Sequence, residues 1–215
     1  MLRPTSELPD FYFLMHRREK LKEYPADPKC WSAFKKGDQS AYEHIFKTHY
    51  ALLINYGVKL NPDREAVRDL VQNLMCNLWA NRNRLGDTTS IRNYLLASLR
   101  RMILRNARKS VFHIHINTSD PSFYLQSSHE SKLILDQQEK LRSEILNAAI
   151  DKLPNRQKEA LYLKYYGERS FEEIADTMEI STRAVYKLIY KAIDHLAAEL
   201  KPHRKSISNM LFFLV

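Results

Sequence analysis

The segment from Ser170 to Leu196, SFEEIADTMEISTRAVYKLIYKAIDHL, constrains the fold more than any other, because two helical periods are split there by a short break. Ser170 with Glu173 three residues on is a capping-box pattern, so a helix starts there. Phe171, Ile174 and Ala175 give that helix one apolar face over about two turns. Met178 and Ile180 bracket the break, and Ser181 offers a second N-cap. Val185, Leu188, Ile189, Ala192 and Leu196 then repeat at helical spacing, which buries one side of a second helix. The other side carries Arg183, Tyr186, Lys187 and Tyr190. A short helix, a tight turn and a second helix with a basic, aromatic outer face is the layout of a helix-turn-helix DNA reader. The plainer alternative is a helical hairpin with solvated charges. Glu179 departs from the pattern, because such turns often carry Gly where a left-handed residue is needed.

The rest of the chain points to an all-α protein of two small helical domains joined by a flexible linker. Only 4 of 215 residues are Gly, and β-branched alternation is scarce, while 44% hydrophobic residues suffice for true cores. Residues 1–29 hold Pro4, Pro9 and Pro25 and read as a partly ordered leader, with Phe11 to Tyr24 a possible helix. Domain one spans 30–110. Tyr42, Ile45, Phe46, Tyr50, Leu53 and Ile54 form one amphipathic helix with Gly57 late in it. Pro62 and Asp63 punctuate, and a helix from Arg64 to Arg82 buries Val67, Leu70, Val71, Leu74 and Leu78. Its flank sets Asp69, Gln72, Asn73 and Cys76 beside Trp79. That face suits a protein partner, since Trp is a frequent interface anchor; Trp79 reads equally well as a core residue.

A loop from Asn83 to Ser90 precedes a helix from Ile91 to Lys109 with six basic residues and no acid. Ile91, Leu95, Leu99, Met102 and Ile103 form its buried arc, and Tyr94, Arg101, Arg105 and Arg108 line the opposite side. An all-positive stripe with an aromatic at one end suits a phosphate backbone and a stacking platform, with an acidic protein as the rival partner. The formal charge of +9 favours a polyanionic partner in general.

Residues 111–131 are Ser-rich without helical period and read as a linker. His113, His115 and His129 there lack a carboxylate partner at ligand spacing, so no metal and no cofactor is expected. Domain two, 132–200, adds a helix ending at Pro154 and another ending at Gly167. The tail 201–215 is basic, then apolar, and LFFLV is too short to span a bilayer. Cys30 and Cys76 form no CxxC pattern. With no signal peptide in evidence, the expectation is a cytoplasmic protein without membrane insertion.

Two blocks then carry a family resemblance. DLVQNLMCNLWANRNRL (Asp69 to Leu85) resembles the region-two helix, and LPNRQKEALYLKYYGERSFEEIADTMEIS (Leu153 to Ser181) resembles region four, of alternative sigma factors of the extracytoplasmic-function type within the sigma-70 family. The resemblance implies a sigma factor that binds core RNA polymerase, at the β′ clamp and β flap, and directs initiation at promoter DNA. It places Asp69, Gln72, Asn73 and Trp79 against core polymerase, with Asn73 where an acid is usual. It places Asp87, Thr88, Ser90, Asn93 and Tyr94 where a flipped minus-ten base is captured, at an unstacking cost of a few kcal/mol, with Arg101, Arg105 and Arg108 on the separated strand. Ser181, Thr182, Arg183, Tyr186, Lys187 and Tyr190 fall at the minus-thirty-five element. It also implies an anti-sigma partner covering the polymerase-binding surfaces.

Two other classes compete. A helix-turn-helix regulator with a sensory front domain would show strand–helix alternation or an enclosed apolar site, and residues 31–109 show neither pattern. A nucleic-acid enzyme would need HExxH, P-loop glycines or a compact carboxylate cluster, and the sequence has none of these. No catalytic residue and no small-molecule substrate are expected.

Overall fold

The computed structural model describes residues 26–111 and 137–203, which hold eight α-helices in two compact units. Unit one has α1 (Asp27–Lys35), α2 (Gln39–Leu60), α3 (Arg64–Ala80), a 3-10 turn (Arg82–Arg84) and α4 (Ile91–Val111). Unit two has α5 (Gln137–Asp151), α6 (Asn155–Leu161), a π-helical turn (Tyr162–Tyr166), α7 (Phe171–Met178), α8 (Thr182–Leu200) and a 3-10 turn (Lys201–His203). No strand occurs among the described residues. The expected helix over Phe11 to Tyr24, the histidines of the linker and the apolar tail lie outside the described residues.

In unit one, α2 and α3 each start on an aspartate that caps their first amides. Asp38 takes the amides of Ser40 and Ala41, and Asp63 those of Glu65 and Ala66. The chain reverses between α1 and α2 at Gly37, whose φ of 92° costs a side-chain-free residue little. α2 packs against α1, α3 and α4, with α3 also on α4. The core they enclose is rich in aromatics: Trp31, Phe34, Tyr42, Phe46, Tyr56 and Trp79 are all buried. The Tyr42 hydroxyl donates to the Met75 carbonyl at 3.1 Å, so its polar end is satisfied, and burial drives its pKa upward. Cys30 lies in the same core with its thiol pushed up to about 11 by burial and by Asp27 and Asp38, which makes it a poor nucleophile.

In unit two, α8 is the central element and packs on α5, α6 and α7. It buries Val185, Ile189, Ala192, Leu196 and Leu200 along one stripe, the 3.6-residue period of a core-facing helix.

Candidate nucleic-acid interface

The pair α7–α8 begins with the reciprocal cap that its sequence predicts. The Glu173 amide donates to the Ser170 hydroxyl at 3.1 Å, and the Ser170 amide donates to the Glu173 carboxylate at 2.9 Å. Arg169 braces the same carboxylate at 2.9 Å. The turn is made by Glu179 in the left-handed region, φ 54° and ψ 48°, where glycine would be unstrained. Ser181 restarts the helix by accepting from the Ala184 amide at 3.2 Å.

Of the residues expected at the upstream element, Arg183, Tyr186, Lys187 and Tyr190 are exposed on one side of α8. Ser181 is exposed, with an oxygen lone pair committed to its cap, and Thr182 is half-buried. Lys191, exposed one turn past Lys187, continues the basic line through Arg183 and was not among the expected residues. The i, i+4, i+8 spacing is the signal that would have found it. Tyr186 is not a loose side chain. The Phe171 ring stacks on it, centroids 3.9 Å apart and planes at 13°, and Lys164 Nζ lies 4.6 Å over Phe171. Tyr190 follows at 6.3 Å. α7 itself is acidic, with Glu172 and Asp176 exposed beside the turn residue Glu179. Carboxylates already occupy its N-terminal turn, so phosphate is repelled there, and the exposed cations of the α7–α8 pair all lie on α8.

In unit one, Asp69, Gln72 and Asn73 are exposed on α3 at i, i+3 and i+4, with Cys76 half-buried beside them. Trp79 departs from that group. It is only 5% exposed, its ring lies 5.0 Å from Tyr42 and 6.2 Å from Phe34, and the Arg82 guanidinium covers it at 4.4 Å. Of the two readings left open for it, the structure takes the core one. Trp79 stands beneath the polar face and does not form part of it.

The loop ahead of α4 is held by α1. Trp31 Nε1 donates to the Gly86 carbonyl at 2.9 Å, Lys35 pairs with Asp87 at 2.7 Å, and the Ile91 amide donates to Asp27 at 2.9 Å. Within the loop, the Thr88 hydroxyl donates to the Ser90 carbonyl at 3.0 Å, and the Ser90 hydroxyl accepts from the Asn93 amide at 3.3 Å. The Asn93 side-chain oxygen is buried without a hydrogen-bond partner. Tyr94 is half-buried against Trp31, ring centroids 5.1 Å apart, so it does not stand in the solvent stripe where its wheel position puts it. Arg101 and Arg105 are exposed, and Arg101 folds back to Ala97 and Ser98. Arg100 differs from them in being buried, 5% exposed. The side chain of Arg108 lies outside the described residues.

Charge is unequally shared. Residues 26–111 hold fifteen Lys and Arg against seven Asp and Glu, a net +8, whereas residues 137–203 hold eleven of each. Among the described residues no group of three or more His, Cys, Asp or Glu is placed to hold a metal, and no helix is long and apolar enough to cross a membrane.

Comparison with known families finds two matches. The model of sigma-70 region 2 matches residues 45–111, and that of sigma-70 region 4 matches residues 143–196. Together these segments take in more than half of the 215 residues. Among solved structures, CnrH in complex with the cytosolic domain of CnrY is similar over 83% of this chain and 99% of that chain, at 17% identity and a TM-score of 0.56. The sigma factor RpoE in complex with the anti-sigma factor NepR, from Bartonella quintana, is similar over 74% of this chain and 96% of that chain, at 18% identity and a TM-score of 0.56. At such identities the likeness is one of fold. No curated protein sequence matches the chain.

Proposed function

The chain belongs to the sigma-70 family, with the two-region layout of the extracytoplasmic-function type, and from that premise we propose how its surfaces divide the work of promoter-directed initiation. The observation that carries the reading is the presence of regions 2 and 4 in one chain, in that order, with the basic excess lodged in the first. The exposed polar face of α3, Asp69, Gln72 and Asn73, docks on the β′ clamp of core RNA polymerase, and unit two reaches the β flap. The loop bearing Asp87, Thr88 and Ser90, with Asn93 and Tyr94 at the start of α4, captures an unstacked minus-ten base. Arg101, Arg105 and Arg108 hold the separated strand by its phosphates. Ser181, Thr182, Arg183, Tyr186, Lys187 and Tyr190 meet the minus-thirty-five element, where Arg183 and Lys187 reach base edges or phosphates and the tyrosines pack on sugar or thymine methyls.

This scheme asks no bond chemistry of the chain, since phosphodiester formation belongs to the polymerase. A protein of the anti-sigma kind, such as the NepR bound to RpoE in the similar structure, silences it by covering the α3 face, and the protein works in the cytoplasm. The test is direct: full-length protein is added to core polymerase lacking any sigma factor, on promoters chosen from transcripts that rise when the protein is overproduced. A stable complex and specific initiation are expected. A conventional helix-turn-helix regulator would bind the DNA and leave the core enzyme inactive, which would overturn the proposal.

A further inference from the structure

The helix α1 lies ahead of the segment that matches region 2, which begins at residue 45. Its residues Asp27, Trp31 and Lys35 are spaced i, i+4 and i+8 and so share one stripe. Every one of the three grips the stretch from Gly86 to Ile91, across 52 to 64 residues of sequence. We propose that this stripe of α1 is a positioning element for base capture: it sets the shape of the loop before DNA arrives, and with it which base the loop accepts. The inference rests on the sigma-factor reading given above.

The three grips differ in kind. Trp31 is 1% exposed, and its indole N–H is committed to the Gly86 carbonyl while its ring packs on Phe34 and Tyr94. It therefore ties the loop to the first turn of α4, through a part-buried hydrogen bond at one side and a ring contact at the other. Asp27 places a carboxylate on the first amide of α4, acting as a cap from 64 residues away and favoured by the positive end of the helix dipole. Lys35 holds an Asp87 whose side chain is 93% exposed, so the pair adds little to stability. Its consequence is local: the cation offsets a carboxylate that would otherwise repel the phosphates, and it orients that carboxylate as an acceptor. An acceptor matches the exocyclic amine of adenine, cytosine or guanine and is repelled by the two carbonyl oxygens that flank the single N–H donor on the pairing edge of thymine. A loop ordered in advance also spares the ordering that binding would otherwise have to meet, up to about tenfold in affinity for each residue fixed.

The experiment uses full-length protein with core polymerase and a promoter carrying 2-aminopurine at the captured position, together with single-stranded minus-ten oligonucleotides substituted at that position. Lys35→Ala is expected to lower base discrimination about two- to fivefold and Lys35→Arg to restore it, with affinity for core polymerase unaltered. Trp31→Phe, which keeps an aromatic ring and removes the N–H, is expected to lower discrimination and the 2-aminopurine signal about tenfold. Full base discrimination in both Lys35→Ala and Trp31→Phe would overturn the proposal. So would a loss that is uniform over all bases, because that marks a merely structural helix. If Trp31→Phe does not fold, the Lys35→Ala and Lys35→Arg pair decides alone. An unmodified chain that opens no promoter would instead remove the sigma-factor reading.

Discussion

Gly57 offers the sharpest test of how unit one is packed. It lies in α2, buried where α3 and α4 cross, and a Cβ there would sit 2.5 Å from Val67 Cγ1, 3.5 Å from Leu99 Cδ2 and 3.7 Å from Ile103 Cδ1. In an exposed helix, Gly→Ala gains about 1 kcal/mol from propensity. Carbon atoms prefer about 3.5–4.0 Å, so the valine methyl stands roughly 1 Å too close. Val67 is fully buried, and a valine in a helix has essentially one rotamer. The clash therefore has to be relieved by moving α3 away from α2. Overpacking of this kind costs about 1–3 kcal/mol, so Gly57→Ala is expected to be a net loss of roughly 1 kcal/mol despite the better helix former. Trp31 and Trp79, the only tryptophans of the chain, both lie in this unit, so urea unfolding followed by tryptophan fluorescence reports it alone. Val67→Ala should be destabilising by itself, yet the pair Gly57→Ala and Val67→Ala should be more stable than the sum of the two single changes, by about 1 kcal/mol or more. Simple additivity, or a stabilised Gly57→Ala, would refute the reasoning.

At the turn of the helix-turn-helix, Glu179→Gly relieves a left-handed residue, a cost of about 1–2 kcal/mol, against about 0.4–1 kcal/mol of added chain entropy when unfolded. A net gain of roughly 0.5–1 kcal/mol is expected, read as slower amide exchange in α7 and α8; faster exchange would contradict it. Phe171→Leu removes the ring beneath Tyr186 and keeps its apolar bulk. An aromatic pair is worth about 0.5–1.5 kcal/mol, so minus-thirty-five binding by the holoenzyme should weaken about two- to tenfold by fluorescence anisotropy, and unchanged affinity would show that the stack does no positioning. His49 is held down to about 4 from its usual 6.5, by burial first, then by Arg92 and His44, with Asp27 opposing. The folded state keeps it neutral while the unfolded chain takes a proton, so stability is intact above pH 6.5 and is lost as pH falls toward 4, by up to about 3 kcal/mol. His49→Gln should flatten that slope in unfolding curves measured across the window.

Much of the helical framework was legible because it is local. The expected helices from Arg64 and from Ile91 start at those residues and end within two positions of Arg82 and Lys109. The cap at Ser170, the box with Glu173 and the restart at Ser181 were readable from short-range chemistry alone. The helix α1 was missed, and a leader was drawn through residue 29. Pro28 sits in its first turn, where the missing N–H costs nothing. The reason is distance: what α1 holds is 52 to 64 residues away, and no periodicity within α1 reports it. For a related reason the sequence leaves Trp79 open between interface and core. On its own wheel it sits at the edge of the buried arc, and only the rings of Phe34 and Tyr42, supplied by other helices, decide that it is covered. Tyr94 is a like case: its wheel position faces solvent, and Trp31 of another helix draws it in.

The charge distribution gives the two units different physics even before a promoter is specified. A net +8 over residues 26–111 attracts any polyanion and gains affinity by releasing counterions, without regard to sequence. That suits holding a strand whose bases have been pulled apart, because a separated strand offers a continuous phosphate chain and little fixed shape. The second unit has no net charge over residues 137–203, so bulk attraction contributes little to it. Three of its eleven cations, Arg183, Lys187 and Lys191, form one line on α8, while α7 and the turn carry Glu172, Asp176 and Glu179. Such a surface attracts DNA in one orientation and repels it in others. Its binding must come from directed contacts, and directed contacts are what discriminate one duplex sequence from another. Placing the orienting stack of Lys164, Phe171 and Tyr186 in the neutral unit follows the same logic: where diffuse attraction is weak, a side chain that meets the groove gains most from being fixed in advance.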